Sequence, residues 1–429
     1  MVAKAKAIFK SKRMKRIGNI YHSIYSIENL NKADLIARRG KLKQPGVIEH
    51  DKNREENIKN LYVLLKEKQY KTSEYTTFTI FEPKERLIFR LPYFPDRVTH
   101  HAIMNILEPI FVSTFTADTY SCIKKRGIHA AANALKEALS NTDDTQYCLK
   151  IDIKKFYPNV DHDVLKQLLR RKFKDNDLLW LLDEIIDSTE GLPIGNYLSQ
   201  YLANFYLSYF DHWIKEQREV KFYFRYADDM VFLSDNKPYL HQLLSDIKGY
   251  LNDNLKLTVK DNYQIFPVDV RGIDFVGYVF RHTHVLLRKS IKQNFARMMA
   301  KNKNKQSMAS YYGWLSHCNS YNLLKKFDMN NFKDLNIKLP EKGFEGDKVK
   351  MTKILNREIV VHKFKIEDSK IFKEKGTGKC LQLQISIGNE KHVVFTSASG
   401  LIDQINQVTE KNLPFTATII QDGERFMFT

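Results

Sequence analysis

Two adjacent aspartates between apolar stretches restrict the folds open to this chain more than any other feature. Asp228 and Asp229 lie between the stretches FYF and MVFL, a pattern that predicts the two arms of a hairpin. A third aspartate, Asp152, lies inside another apolar stretch, QYCLKIDI at residues 146–153. A buried carboxylate costs several kcal/mol unless it is paired or binds a cation. An Asp-Asp turn also occurs for purely structural reasons, so the pair alone does not establish a site.

The three aspartates together indicate a site for divalent cations. If the strand of Asp152 lies beside the hairpin, two or three carboxylates converge, and such hard oxygen ligands suit Mg²⁺. Two such ions about 4 Å apart can activate a 3′-hydroxyl and stabilise a leaving pyrophosphate. We therefore predict that Asp152, Asp228 and Asp229 are catalytic. We also predict that two Mg²⁺ ions, which Mn²⁺ could replace, bind at these residues and Ile153.

The chain also carries a large excess of positive charge. Its 69 Lys and Arg residues against 50 Asp and Glu residues give a formal net charge of +19, which points to nucleic acid or an anionic membrane surface. Residues 346–429 contain 13 basic and 10 acidic residues, so +16 lies on the remainder. Residues 285–327 contain nine Lys and Arg, no acidic residue and several interleaved aromatic rings. This block favours a phosphate-facing surface over a solvated helix face.

Other sequence features exclude several classes of protein. No run of 18 apolar residues exists, so we predict no membrane-spanning segment. The basic N-terminus lacks a following apolar run and does not resemble a secretory signal. The four cysteines lie far apart without metal-ligand spacing, which disfavours a disulfide framework and a structural zinc site. A reducing cytoplasm is the expected location.

Helical and strand patterns both occur and predict an α+β fold. Residues 14–40 have apolar residues at helical spacing, and residues 74–94 alternate as two strands around a turn at 82–84. Past residue 346, alternating strands with one helix at residues 399–408 predict a separate β-rich domain.

A third segment, GLPIGNYLSQYLANFYL, begins with a Pro- and Gly-containing turn and continues as a helix. Pro193 and Gly195 would bring the backbone close to a flat group such as a nascent base pair. The alternative interpretation, which the segment alone does not disfavour, is an ordinary loop that leads into a helix.

In their order, these segments resemble a reverse transcriptase of the bacterial type related to group II intron enzymes. Tyr226-Ala227-Asp228-Asp229 matches the catalytic hairpin of that family, and Asp152 matches its first metal-binding acid. Residues 274–278 resemble the primer-grip hairpin, and residues 311–319 resemble the thumb helix. The resemblance covers about residues 14–330 and implies a right-hand polymerase. The expected domains are the N-terminal extension and fingers (1–145), the palm with interleaved finger segments (146–284), the thumb (285–345) and the β-rich accessory domain (346–429).

The resemblance also assigns residues that bind the substrates. Tyr157 matches the side chain that blocks a ribose 2′-hydroxyl, Arg86 and Arg90 resemble the fingers arginines that hold the triphosphate, and Lys260 lies where the family often places a general-acid lysine. The nucleotide-binding residues that it implies are Arg86, Arg90, Tyr157, Ile194, Gly195, Gln200 and Lys260. The residues that we expect on the nucleic acid are Arg288, Lys289, Lys292, Arg297, Lys301, Lys303, Lys305 and Trp314.

One departure from the family pattern points to a subfamily. Most relatives have Pro-Gln-Gly where this chain has Pro193-Ile194-Gly195, and the pattern IGNxxSQ is similar to reverse transcriptases of diversity-generating retroelements. So is the N-terminal stretch RIGNIYHSIYSIENLNKADLIARRGK, with no endonuclease pattern after the thumb. That resemblance implies copying of a template-repeat RNA with misincorporation opposite adenines for mutagenic retrohoming. It also implies a small, basic, oligomeric accessory variability protein as a partner.

The physical reason for misincorporation would lie in Ile194. An aliphatic side chain cannot make the polar contact of a glutamine, so the geometry of the nascent pair would be checked less strictly. A packing substitution without effect on fidelity is the alternative.

Two other functions stay open. A defence-associated or unclassified bacterial reverse transcriptase would share every catalytic residue, whereas a catalytically silent nucleic-acid-binding protein would leave costly buried acids unused. Residues 346–429 could form a small OB-like barrel that binds single strands, or could serve a protein contact or a purely structural role. The expected partners are template RNA, the RNA/cDNA hybrid and dNTPs, with no membrane, in the cytoplasm of a bacterium or of a phage host.

Overall fold

The computed structural model describes residues 16–81, 85–301, 305–326, 344, 346–368, 378–388, 390–409 and 412–429. The chain is a mixed helix–strand protein that divides into two compact units, Met1–Phe327 and Asp328–Thr429. The turn predicted at residues 82–84 lies outside the described residues, and no described helix is both long and apolar enough to cross a membrane.

Helices make up most of the first unit. They are α1 (Tyr21–Tyr25), α2 (Ile27–Ala37), α3 (Pro45–Lys52), α4 (Arg54–Lys66), α5 (Val98–Val112), α6 (Ile128–Ala138), α7 (His162–Lys172), α8 (Asn176–Ile186), α9 (Tyr197–His212), α10 (Lys237–Leu255), α11 (Val268–Arg271), α12 (Lys289–Lys301), α13 (Lys305–Leu315) and α14 (Tyr321–Lys326). A π-helical turn, Trp213–Gln217, directly follows α9.

In the described residues of the first unit, nine strands form three sheets. They are β1 (Thr76–Ile80), β2 (Arg86–Arg90), β3 (Tyr147–Asp152), β4 (Phe222–Tyr226), β5 (Asp229–Ser234), β6 (Gln264–Pro267), β7 (Ile273–Phe275), β8 (Tyr278–Phe280) and β9 (Val285–Leu287). The strands β1 and β2 form a hairpin, β7 to β9 form a three-stranded sheet, and the central sheet has the order β4-β5-β3-β6 with antiparallel neighbours. Because α10 packs on β3, β5 and β6, the middle of β5 is apolar and buried.

Side-chain caps explain where several of these helices begin. Asp161 accepts a hydrogen bond from the Val164 amide at the start of α7, and Asn236 accepts one from the Tyr239 amide at the start of α10. Asp175 caps α8 and its other oxygen accepts the amides of Ile20 and Tyr21 at 2.7 and 3.0 Å. This carboxylate thereby fixes the N-terminal helices to the body that carries the central sheet.

The second unit contains one six-stranded sheet and one helix. Its elements are β10 (Asp347–Val349), β11 (Glu358–Asp368), β12 (Lys379–Ile387), β13 (Glu390–Thr396), α15 (Ser399–Ile405), β14 (Phe415–Asp422) and β15 (Arg425–Phe428). The strand order is β10-β13-β12-β11-β14-β15. The sequence-based prediction of a β-rich C-terminal domain is therefore confirmed.

The strand order differs from the OB-like barrel that the sequence allows. The short strands β10 and β15 lie at opposite edges, so the described strands form an open sheet. Leu401, Ile402 and Ile405 of α15 belong to the same buried cluster as the apolar side chains of the sheet. A helix therefore covers the apolar face, which the sheet in a barrel would bury by closing on itself.

Candidate active site

The three predicted catalytic aspartates meet at one end of the central sheet. In the register of β3 with β5, Asp152 is directly opposite Asp229, and in the register of β4 with β5, Tyr226 is opposite Asp229. Asp228 lies in the two-residue turn between Tyr226 and Asp229, close enough to Asp152 for the two charges to interact. Cross-strand pairing therefore brings together Asp152 and Asp229, which are 77 residues apart in the sequence.

The turn that presents Asp228 is fixed by the backbone conformation of Ala227 and by a hydrogen bond from the Arg225 side chain. Ala227 has a left-handed backbone with φ of +56°, which a two-residue hairpin of this kind requires. Its carbonyl accepts a hydrogen bond from Nη1 of Arg225 at 3.0 Å. Arg225 itself is completely buried, so a buried guanidinium supports the turn that carries Asp228.

Arg225 belongs to a buried polar network that sequence reasoning missed. Its Nε and Nη2 donate to the carboxylate of Asp211 in α9, which is also completely buried. Asp211 also accepts from the hydroxyls of Tyr223 at 2.7 Å and Thr119 at 3.0 Å. Asn204 Oδ1 accepts a further bond from Arg225 at 3.0 Å. A strand arginine within an otherwise apolar hairpin was the one signal in the sequence that could have revealed this network.

Two lysines neutralise part of the acidic charge. Lys260 forms an ion pair with Asp152, and its amide also donates to the carbonyl of Asp152 at 2.8 Å. Lys150 Nζ lies 3.4 Å from Asp229 Oδ1 and donates to the carbonyl of Asp274. The predicted nucleotide-binding Lys260 thus contacts the first of the three aspartates.

Burial is the main cause that raises the pKa of both Asp228 and Asp229. Burial and then the negative charge of Asp152 raise the pKa of Asp228 to about 6, against the opposing charge of Lys260. Burial likewise raises the pKa of Asp229 to about 6, although the Lys150 ammonium opposes this rise. A divalent cation would reverse both shifts, since it stabilises ionised carboxylates.

The chemistry of this cluster fits a divalent cation. Asp229 Oδ1 is buried, and in the part of the chain that the structure describes it accepts no hydrogen bond. The Lys150 ammonium lies at ion-pair distance from it, so this oxygen has capacity to bind a cation. Within the described ranges, no three Asp, Glu, His or Cys side chains have an arrangement that could hold one metal ion. Asp152 and Asp229 instead pair with Lys260 and Lys150. An ion would therefore compete with these two ammonium groups. Ile153, the fourth predicted position, is buried beside them and bridges Val259 through its backbone.

The segment with the predicted base-pair contact is fixed to the β1–β2 hairpin. The Phe89 amide donates to the Ile194 carbonyl at 2.8 Å, and Gly195 has φ of +122°. A Cβ at Gly195 would lie 2.5 Å from the Phe89 carbonyl oxygen. The side chain of Ile194 remains half-buried, whereas Gln200, further along α9, is exposed. Only glycine fits the approach of this turn to the hairpin.

The other end of this turn is fixed to the segment after β3. Leu192 donates its amide to the carbonyl of Tyr157 at 2.8 Å, and a Cβ at Gly191 would lie 2.6 Å from that same oxygen. Burial raises the pKa of the Tyr157 hydroxyl, whose ring packs edge-on against Phe156. Arg86 and Arg90 are exposed at the two ends of β2 and share one face of the strand.

The predicted nucleic-acid residues are distributed over α12 and α13. Lys289, Lys292 and Arg297 are exposed on α12, but Arg288 pairs with Asp274. The ring of Trp314 packs against Tyr278, and a Cβ at the intervening Gly277 would come within 2.4 Å of that ring. Trp314 therefore supports the β7–β8 turn, and its contact with nucleic acid stays a prediction. Lys303 and the side chains of Lys301 and Lys305 lie outside the described residues.

Comparison with known proteins identifies both parts of the chain at the level of domains. Residues 80–280 match the family model described as reverse transcriptase (RNA-dependent DNA polymerase). Residues 345–429 match the model of a domain of unknown function (DUF8468).

Individual curated proteins also match parts of the chain. The chain is 24% identical over 255 residues to the protein YkfC of Escherichia coli strain K12, which covers 49% of this chain and 65% of YkfC. It is 26% identical over 181 residues to the group II intron-encoded protein LtrA of Lactococcus lactis subsp. cremoris, covering 39% of this chain and 30% of LtrA. It therefore spans less than two thirds of either protein.

Among solved structures, telomerase from Candida albicans in complex with a TWJ fragment of telomeric RNA overlaps with a TM-score of 0.40 and 10% identity. The overlap covers 56% of this chain and 52% of the telomerase chain. The segment that matches the family model, residues 80–280, contains all three aspartates. Residues 80–280 therefore resemble a reverse transcriptase domain, and the chain also resembles a group II intron-encoded protein in sequence.

Proposed function

We propose that this protein is an RNA-directed DNA polymerase that copies an RNA template into cDNA. The observation that carries the proposal is the pairing of Asp152 with Asp229, with Asp228 in the adjoining turn, within a reverse transcriptase domain. A catalytically silent protein would have no use for Asp228 and Asp229 beside Asp152, whose negative charge raises the pKa of both.

The side chains around this cluster suit nucleotidyl transfer. Asp152, Asp228 and Asp229, beside Ile153, would hold Mg²⁺ or Mn²⁺, which when bound would activate the primer 3′-hydroxyl and neutralise the leaving pyrophosphate. Lys260, which pairs with Asp152, would give a proton to the departing group, in the role that the family resemblance implies. Arg86 and Arg90 offer guanidinium groups to the triphosphate.

The sugar and the nascent base pair would be oriented by the two segments that meet at the Tyr157 carbonyl. Tyr157 presents its ring beside the aspartates, where it would exclude a ribose 2′-hydroxyl. Ile194 and Gly195, anchored to Phe89, would form the wall against the base pair.

Primer extension tests this proposal directly. Purified protein, an RNA template with a DNA primer, dNTPs and Mg²⁺ should give cDNA, and Asp228→Asn with Asp229→Asn should abolish it. Asp235→Asn is the matched control, because Asp235 is an exposed acid just past the opposite end of β5. Full activity in the double variant would contradict the assignment of the site.

We further propose that the enzyme belongs to a diversity-generating retroelement. It would copy a template-repeat RNA with errors at template adenines, for mutagenic retrohoming, beside a basic oligomeric accessory variability protein. The supporting observation is Ile194, at the position where the family pattern has glutamine according to the resemblance, with its backbone fixed by the bond from Phe89. A change of side chain there alters the contact with the base pair and leaves the turn in place.

Sequencing of cDNA tests this subfamily proposal. Errors of the wild type should concentrate at template adenines and decline in Ile194→Gln, whereas Ile194→Leu should keep the wild-type spectrum because it remains aliphatic. Equal spectra for all three proteins would overturn the mechanism. A neighbouring variable gene with a near-repeat that differs at adenines would identify the retroelement, and its absence would favour a defence-associated enzyme.

A further inference from the structure

Three cationic side chains line a cleft between the N-terminal helices and the β1–β2 hairpin. Lys41 follows α2, Arg90 ends β2, and Arg97 directly precedes α5. All three line a cleft of about 290 Å³ whose wall includes Gly195 and Tyr197. Arg90 and Arg97 also line an adjoining cleft of about 490 Å³, and none of the three aspartates lines either cleft.

The charge of Arg97 has no counterpart within the described part of the chain. Its side chain is partly buried, and its Nε is fully enclosed and makes no hydrogen bond. Burial and the charge of Arg90 both lower the pKa of Arg97, and burial and the charge of Arg97 lower the pKa of Lys41. A partly buried guanidinium with an unused donor is unfavourable in the free protein.

Unlike Arg97, the neighbouring arginines Arg38 and Arg54 have carboxylate partners. Arg38 and Arg54 both reach the buried carboxylate of Asp34, at 2.8 and 2.7 Å. Glu49, the one acid that lines the larger cleft, pairs with Lys52 at 2.6 Å. The same helices thus supply carboxylates to their structural cations and none to Arg97.

We propose that Lys41, Arg90 and Arg97 form a phosphate-binding site. A guanidinium and an ammonium converging on one cleft suit a phosphate, and the clefts are large enough to admit one. The phosphate belongs either to a nucleic-acid strand that passes over Gly195 and Tyr197 or to a nucleoside triphosphate. The triphosphate alternative, which would add Lys41 and Arg97 to the role proposed above for Arg90, rests on the proposed polymerase function, and so does the identity of the strand as template or primer.

Binding measurements without turnover test the site. Lys41→Gln and Arg97→Gln are compared with Lys43→Gln, an exposed lysine of the same turn that lines neither cleft. For a strand phosphate, both site variants should bind an RNA-template/DNA-primer duplex several-fold more weakly, with a salt slope smaller by about one, and the control should not. For a triphosphate, duplex binding should be unchanged and dTTP binding by calorimetry should weaken.

Thermal unfolding separates this site from a structural role. Because Arg97→Gln removes an unpaired cation, its unfolding temperature should not fall below that of the wild type. Unchanged affinity for both duplex and dTTP, or weaker binding accompanied by a lower unfolding temperature, would overturn the proposal. Since no cDNA synthesis is measured, loss of the polymerase assignment would appear in primer extension and leave these readings intact.

Discussion

The most informative perturbation of this protein is the replacement of Arg225 by methionine. The guanidinium donates to both oxygens of Asp211 and to the carbonyl of Ala227, and both charged side chains are fully buried. Arg225→Met removes the cation, keeps an unbranched side chain and leaves Asp211 as a buried charge without a charged partner. This one change therefore affects both the stability of the first unit and the support of the turn that carries Asp228.

The structure sets the size of the stability effect. Removing one member of a buried ion pair costs about 3–5 kcal/mol. Asp211 keeps two donors, the hydroxyls of Tyr223 at 2.7 Å and Thr119 at 3.0 Å, so we expect the lower end of that range. A second change, Asp211→Asn, removes the stranded charge and still accepts the Tyr223 hydroxyl. The double variant should therefore recover about half or more of the loss.

Two assays on the same proteins separate stability from positioning. Urea unfolding should place Arg225→Met about 3 kcal/mol below the wild type and the double variant between them. Primer extension under folding conditions should give a lower kcat with little change in the KM for dNTPs in both variants, because the Ala227 carbonyl lacks its donor in both. A stability loss under about 1 kcal/mol would refute the energetic argument. Recovery of kcat in the double variant would refute the positioning role.

Three further changes test other parts of the site. Gly195→Ala places a Cβ 2.5 Å from a carbonyl oxygen at φ of +122° and should strongly reduce cDNA yield, whereas Gly313→Ala, with open space around its Cβ and an ordinary φ, should not. Tyr157→Ala should raise incorporation of ribonucleotides relative to dNTPs, and Tyr157→Phe should not, because it keeps the ring. Replacing exposed Lys289 and Lys292 by glutamine should lower the salt slope of duplex binding by about two, and an unchanged slope would assign them to a solvated face.

The sequence predicts those parts of the site that depend on local pattern. The hairpin around Asp228 is readable because its apolar arms flank two acids, and Asp152 stands out as a charge in an apolar strand. Their cross-strand register follows from tertiary pairing, which periodicity does not encode. The partnership of Arg225 with Asp211 is equally invisible, because it joins a strand to a helix that precedes it and depends on both being buried.

In the C-terminal unit, too, the local pattern predicts the strands but not how they are assembled. Alternation correctly predicts its strands, but closure into a barrel depends on which edges meet. In the described residues, α15 covers the apolar face and the sheet stays open. A pattern of strands therefore fixes what must be buried and leaves open which element buries it.

The hydrogen bond from the Phe89 amide to the Ile194 carbonyl has a consequence for how such an enzyme can change over generations. The anchor is made by the main chain, which is the same for almost every residue type. Substitutions at position 194 can therefore change the half-buried side chain without releasing the turn from the hairpin. Copying accuracy, if it depends on this side chain as we propose, can drift or be selected at this position with little effect on folding.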